Sequence, residues 1–158
     1  MTNVELAHLE GLVITALAHR IKGDTGTGAQ SHIDVTDAPD LLSSSDSTTA
    51  CRHYALRMLS AYLRHDVPTL NLLTDGAMQL LHEDGEGRAY LLFALFHTTH
   101  NPQFRDAAKD YVRSHPDCSP ALHRYYALSK KVRVRLTDSA TRRSLLHTAI
   151  SGWGYQHL

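Results

Sequence analysis

The sequence predicts an all-α fold, and three observations carry that reading. Apolar side chains recur at spacings of three and four, residues that cap helices precede those runs, and only Val132 to Leu136 alternates as a strand would. The chain has 158 residues, 42% of them apolar, enough to bury one core but not two. The expectation is a single helical domain over 1–158, a bundle of about seven or eight helices around a central apolar hairpin.

Thr2-Asn3-Val4-Glu5 has the form of a capping box, and Leu6, Leu9, Val13, Leu17 and Ile21 then make one stripe that ends before Gly23. From about 23 to 48 the composition turns to Gly, Ser, Thr and Asp, too polar to offset the entropy of ordering, and a flexible polar loop is expected. Thr49 caps a second helix with Cys51, Ala55, Met58, Tyr62 and Leu63 on one stripe and Arg52, His53, Arg57 and Arg64 turned elsewhere. Val67 to Leu73 reads as a short apolar connector around Pro68. Thr74 or Asp75 then caps a small helix carrying Ala77, Met78, Leu80 and Leu81.

Asp84-Gly85-Glu86-Gly87 is a break, after which Arg88 opens Ala89 to Phe96, apolar on every side and therefore expected at the centre of the bundle. Asn101-Pro102 and Ser119-Pro120 pair a cap with proline in the first helical turn. The first pair starts a helix with Phe104, Ala107, Ala108, Tyr111 and Val112, the second a helix with Leu122, Tyr125, Tyr126 and Leu128. Thr137 or Asp138 caps a last helix with Leu145, Leu146, Ala149 and Ile150, closed by Gly152-Trp153-Gly154.

Sixteen Lys and Arg balance sixteen Asp and Glu, so no global field draws the chain toward nucleic acid or anionic membrane. Charge is uneven locally. Residues 1–50 hold seven acids against Arg20 and Lys22, whereas Lys130, Lys131, Arg133, Arg135, Arg142 and Arg143 face only Asp138. That basic cluster suits a solvated helix face, or contact with anionic lipid or phosphate. The longest apolar run has eight residues, where a membrane span needs about 20. Two cysteines, Cys51 and Cys118, make no disulfide framework, and a soluble intracellular chain is expected.

Three groups of residues hint at metal chemistry. His97 and His100 stand three apart without the glutamate of a zincin motif; His115, Cys118 and His123 surround a proline turn but lack a fourth ligand. His53, His65 and Asp66 resemble the ligand set of helical metal-dependent phosphohydrolases, which keeps an enzyme as one alternative. Surface or packed histidines are the simpler account of all three, and no cofactor is expected. Gly23, Gly26 and Gly28 follow no strand and so lack the setting of a phosphate loop.

The order of elements, with Arg88 beside the greasiest helix, resembles the Bcl-two family of apoptosis regulators. Leu12 to Ile21 is similar to that family's N-terminal homology helix. His82-Glu83-Asp84-Gly85-Glu86-Gly87-Arg88 resembles its groove motif, which ends Asn-Trp-Gly-Arg. Gly87 and Arg88 match, and Gly85 and Glu86 replace the Asn and Trp. Ala55 to Ala61 takes the place of the death-motif helix, whose pattern is Leu, three residues, then Gly-Asp. Ser60 keeps a small residue there and Ala61 removes the acid. Ser151-Gly152-Trp153 echoes the family's later Gly-Gly-Trp motif.

The resemblance implies a divergent viral pro-survival member that catalyses nothing and sequesters the amphipathic helix of pro-apoptotic proteins. It implies a cytoplasmic protein that reaches the mitochondrial outer membrane of a host cell, as a monomer or a domain-swapped homodimer. The peptide groove would be lined by Leu63, Val67, Leu70, Leu73, Met78, Leu81, Gly87, Leu91 and Leu95, with Arg88 receiving the partner's acid. A generic helical adaptor or oligomerisation module would present the same patterning.

Overall fold

A computed structural model describes residues 3–23, 47–81 and 85–134. Among these, six helices follow one another: α1 (Asn3–Ile21), α2 (Ser47–Leu63), α3 (Val67–Leu80), α4 (Glu86–Thr99), α5 (Pro102–Ser114) and α6 (Pro120–Ser129). The class is all-α. The expected polar loop, apart from its ends, and the expected last helix around Leu145 to Ile150 lie outside the described residues, as do Thr2, His82 to Asp84 and Ser151-Gly152-Trp153.

Helix α4 is the centre. Ala89 to His97 are buried without a break, and α4 packs against α2, α3, α5 and α6. Its composition requires this, because a helix apolar on all sides has no face to give to water. Gly85 precedes it with φ +115°, a conformation that costs glycine little. At the other end His100 takes φ +59° and its N–H closes on Phe96 O at 2.7 Å.

The proline-marked starts form as the sequence predicts. Asn101 Oδ1 accepts from Gln103 N at 3.1 Å, and Ser119 Oγ accepts from Ala121 N at 3.2 Å, each satisfying a first-turn amide. Helix α5 then turns Phe104, Ala108 and Val112 into the core. Helix α6 buries Leu122 and Tyr125, and Tyr125 packs against Phe93 and Tyr90 of α4.

Expectations at three helix starts are corrected. Helix α2 begins at Ser47, so Thr49 lies within it rather than capping it. Val67 to Leu73 is no connector, because α3 runs unbroken from Val67 to Leu80. Pro68 lies in its first turn, where no amide hydrogen is needed, and Asp66 is the cap, accepting from Thr69 N at 3.3 Å. Thr74 is interior to the helix and returns its hydroxyl to Leu70 O at 2.8 Å. Helix α4 opens at Glu86 rather than Arg88. Glu86 gains from that position by accepting the Ser119 amide at 3.0 Å, which ties the start of α4 to the start of α6. The segment Val132 to Val134 forms no strand, and Arg135 and Leu136 lie outside the described residues.

Candidate functional site: the outer face of the third helix

Helix α3 rests chiefly on α2 and only lightly on α4. Leu73 and Ala77 form its inward stripe. Tyr54 on α2 fixes the crossing by donating its hydroxyl to Leu73 O at 2.9 Å, close over Gly76. Away from that contact, Val67 is 57% exposed and Leu72 74% exposed, two of the four large apolar residues most open to water among those described. Leu70 and Met78 are half-buried beside them. The helix is about 20 Å long from its 14 residues, and its turn of about 100° per residue puts Val67, Leu70 and Met78 along one flank and Leu72 on the other.

The groove residues expected from the sequence divide into two sets. Val67, Leu70 and Met78 lie on or beside the open face of α3. Leu63, Leu73, Leu81, Leu91 and Leu95 are buried in the core, and the chain's own side chains already fill the space around them. Periodicity marked them as apolar but carried no information about which apolar positions face another helix and which face outward. Gly87 is buried too, and its role is a close approach: a Cβ there would stand 2.9 Å from Cys51 Cβ and 3.3 Å from Thr48 Cα. That glycine lets the start of α4 press onto α2.

Arg88 stands at the C-terminal end of α3. Its Nε donates to Leu81 O at 3.1 Å, so the guanidinium is anchored by a carbonyl that the helix end leaves open. It borders a cavity of about 370 Å³ shared with Leu92 of α4 and Tyr111 and His115 of α5. The cation is therefore fixed at the rim of the core, as the sequence suggested, but leans toward α5 as well as toward the end of α3.

The histidines weighed for metal chemistry have separate surroundings. His97 is buried, and its Nε2 donates to Tyr125 O at 3.2 Å. His115 stacks on Tyr111, 4.1 Å between ring centres, and donates from Nδ1 to Tyr111 O. His123 Nε2 donates to Pro116 O at 2.9 Å and lies 3.5 Å from Cys118 Sγ. His53 is only 1% exposed, His65 accepts from Arg20, and Asp66 is spent as the α3 cap. Among the described residues, no three His, Cys, Asp or Glu side chains gather as a metal would need. Burial pushes His53 and His97 down to about 4, so both rings are neutral at pH 7.

One pairing had no signal in the sequence. Glu10 on α1 is 3% exposed, and Arg52 on α2 holds its carboxylate with two donors. The pair faces Tyr90 of α4, with the Arg52 guanidinium 5.6 Å from the ring centre. The same surroundings push the Tyr90 hydroxyl up to about 12, chiefly through burial.

No family model, curated protein or solved structure matches this chain.

Among the described residues, no helix is long and apolar enough to cross a membrane.

Proposed function

We propose that this protein is a receptor for an amphipathic helix and works, like the Bcl-two family it resembles in sequence, by sequestering the death-motif helix of pro-apoptotic partners. One observation carries the reading: Val67, Leu70 and Met78 form an apolar strip along one flank of α3, open at Val67 and partly buried at the other two, with the anchored cation Arg88 beyond the helix's C-terminal end. A partner helix laid on such a strip buries its own apolar stripe and brings an acid to a fixed guanidinium, which sets its register. The order of elements agrees with that architecture. Helix α4, which carries Gly87-Arg88 in its first turn and is buried from Ala89 to His97, follows α1, α2 and α3 and is followed at once by α5.

The receptor role is favoured over the ligand role by the chain's own segment in the death-motif place. Ser60 and Ala61 are fully buried in α2, so that face has no freedom to enter another protein's groove. In this proposal the protein is pro-survival, of viral origin, cytoplasmic and active at the mitochondrial outer membrane, with no catalytic step.

The test is titration of the purified protein with labelled amphipathic peptides bearing the pattern Leu, three residues, Gly-Asp, read by fluorescence anisotropy. Binding is expected, with losses of roughly tens-fold or more in Arg88→Ala, because an acid loses its charged partner. Val67→Glu and Met78→Glu are expected to reduce binding while leaving the helical circular-dichroism signal intact. No saturation at tens of micromolar across the panel would overturn the reading, as would binding that ignores all three substitutions.

A further inference from the structure

Four parts of the chain converge on a cavity of about 290 Å³: the ends of α1, α2 and α4, and the segment after α6. We propose that this cavity binds a small organic phosphate, a doubly charged group carried on a compact apolar or aromatic body. Three cations line it, Arg20, Lys131 and Arg133, and no described carboxylate does. In a chain whose charges balance overall, that local excess is a built feature. The aliphatic side chains of Leu17, Ile21 and Val132 supply an apolar wall beside the charges.

Arg20 is held ready. Its guanidinium carbon lies 4.4 Å from the centre of the Tyr62 ring, and Nη1 donates to His65 Nε2 at 3.2 Å. Stacking and a single imidazole contact orient a guanidinium without supplying a counter-charge, and the remaining N–H groups match two phosphate oxygens. Tyr62 is steadied in turn by His100, whose Nε2 is 3.5 Å from the hydroxyl and whose ring meets it edge-on. Both flanking histidines, His65 and His100, occupy left-handed backbone conformations, with φ +58° and +59°. These are the left-handed residues that end α2 and α4, and the helix ends bring both rings to the Arg20–Tyr62 pair.

A buried polar ring also borders the cavity. His97 lines the cavity, is almost wholly buried, and spends its Nε2 hydrogen on Tyr125 O, while Nδ1 has no hydrogen-bond partner. That nitrogen is closed off from solvent, so the ring contributes to the cavity as part of its wall. The simpler account of Arg20, a cation favoured by the negative end of α1, explains the residue type but not its position on Tyr62 or the arrival of Lys131 and Arg133.

The experiment is calorimetric titration at low salt with adenosine monophosphate, adenosine and inorganic pyrophosphate, beside co-sedimentation with phosphatidic-acid and phosphatidylcholine vesicles. The variants are Arg20→Gln and Lys131→Gln, with Arg113→Gln on exposed α5 as the control. Lys131 is exposed, so its substitution tests charge without disturbing the fold. Saturable binding of the monophosphate but not of adenosine is expected, weakened about ten-fold by Lys131→Gln and unchanged by the control. If phosphatidic-acid vesicles bind with the same dependence on Lys131 and the soluble phosphates do not, the phosphate is a lipid headgroup. Binding to none of adenosine monophosphate, pyrophosphate and phosphatidic-acid vesicles, or binding that Lys131→Gln and Arg20→Gln leave unaltered, would overturn the proposal. Neither result bears on the peptide titration, because Val67, Met78 and Arg88 do not line this cavity.

Discussion

Arg52 on α2 grips Glu10 on α1 with its Nε and one terminal nitrogen, 42 residues away in sequence, and the carboxylate it holds is almost fully buried. The bidentate geometry is the one in which a guanidinium compensates a carboxylate best. It also lifts the Arg52 pKa further, chiefly through the hydrogen bond to Glu10.

Removing one member of that pair leaves an uncompensated buried charge. Arg52→Leu is expected to destabilise the protein by about 3 kcal/mol. Glu10→Leu combined with Arg52→Leu is expected to recover most of the loss, since two apolar side chains suit the interior. Urea midpoints of the two single variants and the double variant check this. A double variant as unstable as the sum of the singles would show that the pair is not the cause.

Acid should weaken the fold through its buried histidines. His53 and His97 sit at about 4, chiefly through burial, against about 6.5 in the unfolded chain. Between those values the unfolded state binds more protons, so stability is full above about pH 6.5 and falls as pH drops toward 4. For His97 alone the loss is on the order of 3 kcal/mol. Urea unfolding followed across this range should show a midpoint that declines with acidification. Stability that is level from neutral pH down to 4 would contradict the assignment of both rings as neutral.

His53 offers a sharper case, because neither of its ring nitrogens has a hydrogen-bond partner in the interior. His53→Leu removes two unsatisfied polar atoms and keeps most of the volume. It is expected to raise the unfolding free energy at neutral pH by about 1 kcal/mol or more, and so the urea midpoint, and to flatten the acid dependence. Lower stability at pH 7 would mean that the ring is satisfied in solution.

Two glycines are expected to resist alanine, each for a different reason. At Gly76 a Cβ would stand 2.1 Å from the Tyr54 hydroxyl, so Gly76→Ala must displace that ring and break its bond to Leu73 O. The cost is roughly 1 to 3 kcal/mol, and Tyr54→Phe in the same chain should return part of it. At Gly87 the opposing atoms are a Cβ and a backbone Cα on α2, which cannot swing away. Gly87→Ala is therefore expected to destabilise by a similar amount with no second-site rescue at Tyr54. Thermal unfolding of the variants separates the cases.

Much of the helical layout is legible in the sequence because its signals are local. Asn101-Pro102 and Ser119-Pro120 state both a cap and a compatible backbone angle within two residues, and α5 and α6 begin there. Ala89 to Phe96 has no polar side to show water, so its central place follows from composition. Pro68 misled for a local reason as well: proline is permissive in a first helical turn, and Asp66 rather than Thr74 supplies the cap. The candidate site was legible only in part. Val67, Leu70 and Met78 flank an open face, whereas five leucines placed with them are core.

By itself, then, the sequence determined the helical class, the centre of the bundle and the starts of α5 and α6, since capping, proline geometry and apolar periodicity act within a few residues. The tertiary structure alone decided that Glu10 meets Arg52, that Gly87 serves α2, that Arg88 closes the end of α3, and that Arg20, Lys131 and Arg133 share a cavity. Those pairings depend on how helices cross. Crossing is set by the fit of whole side-chain surfaces, which no local spacing encodes.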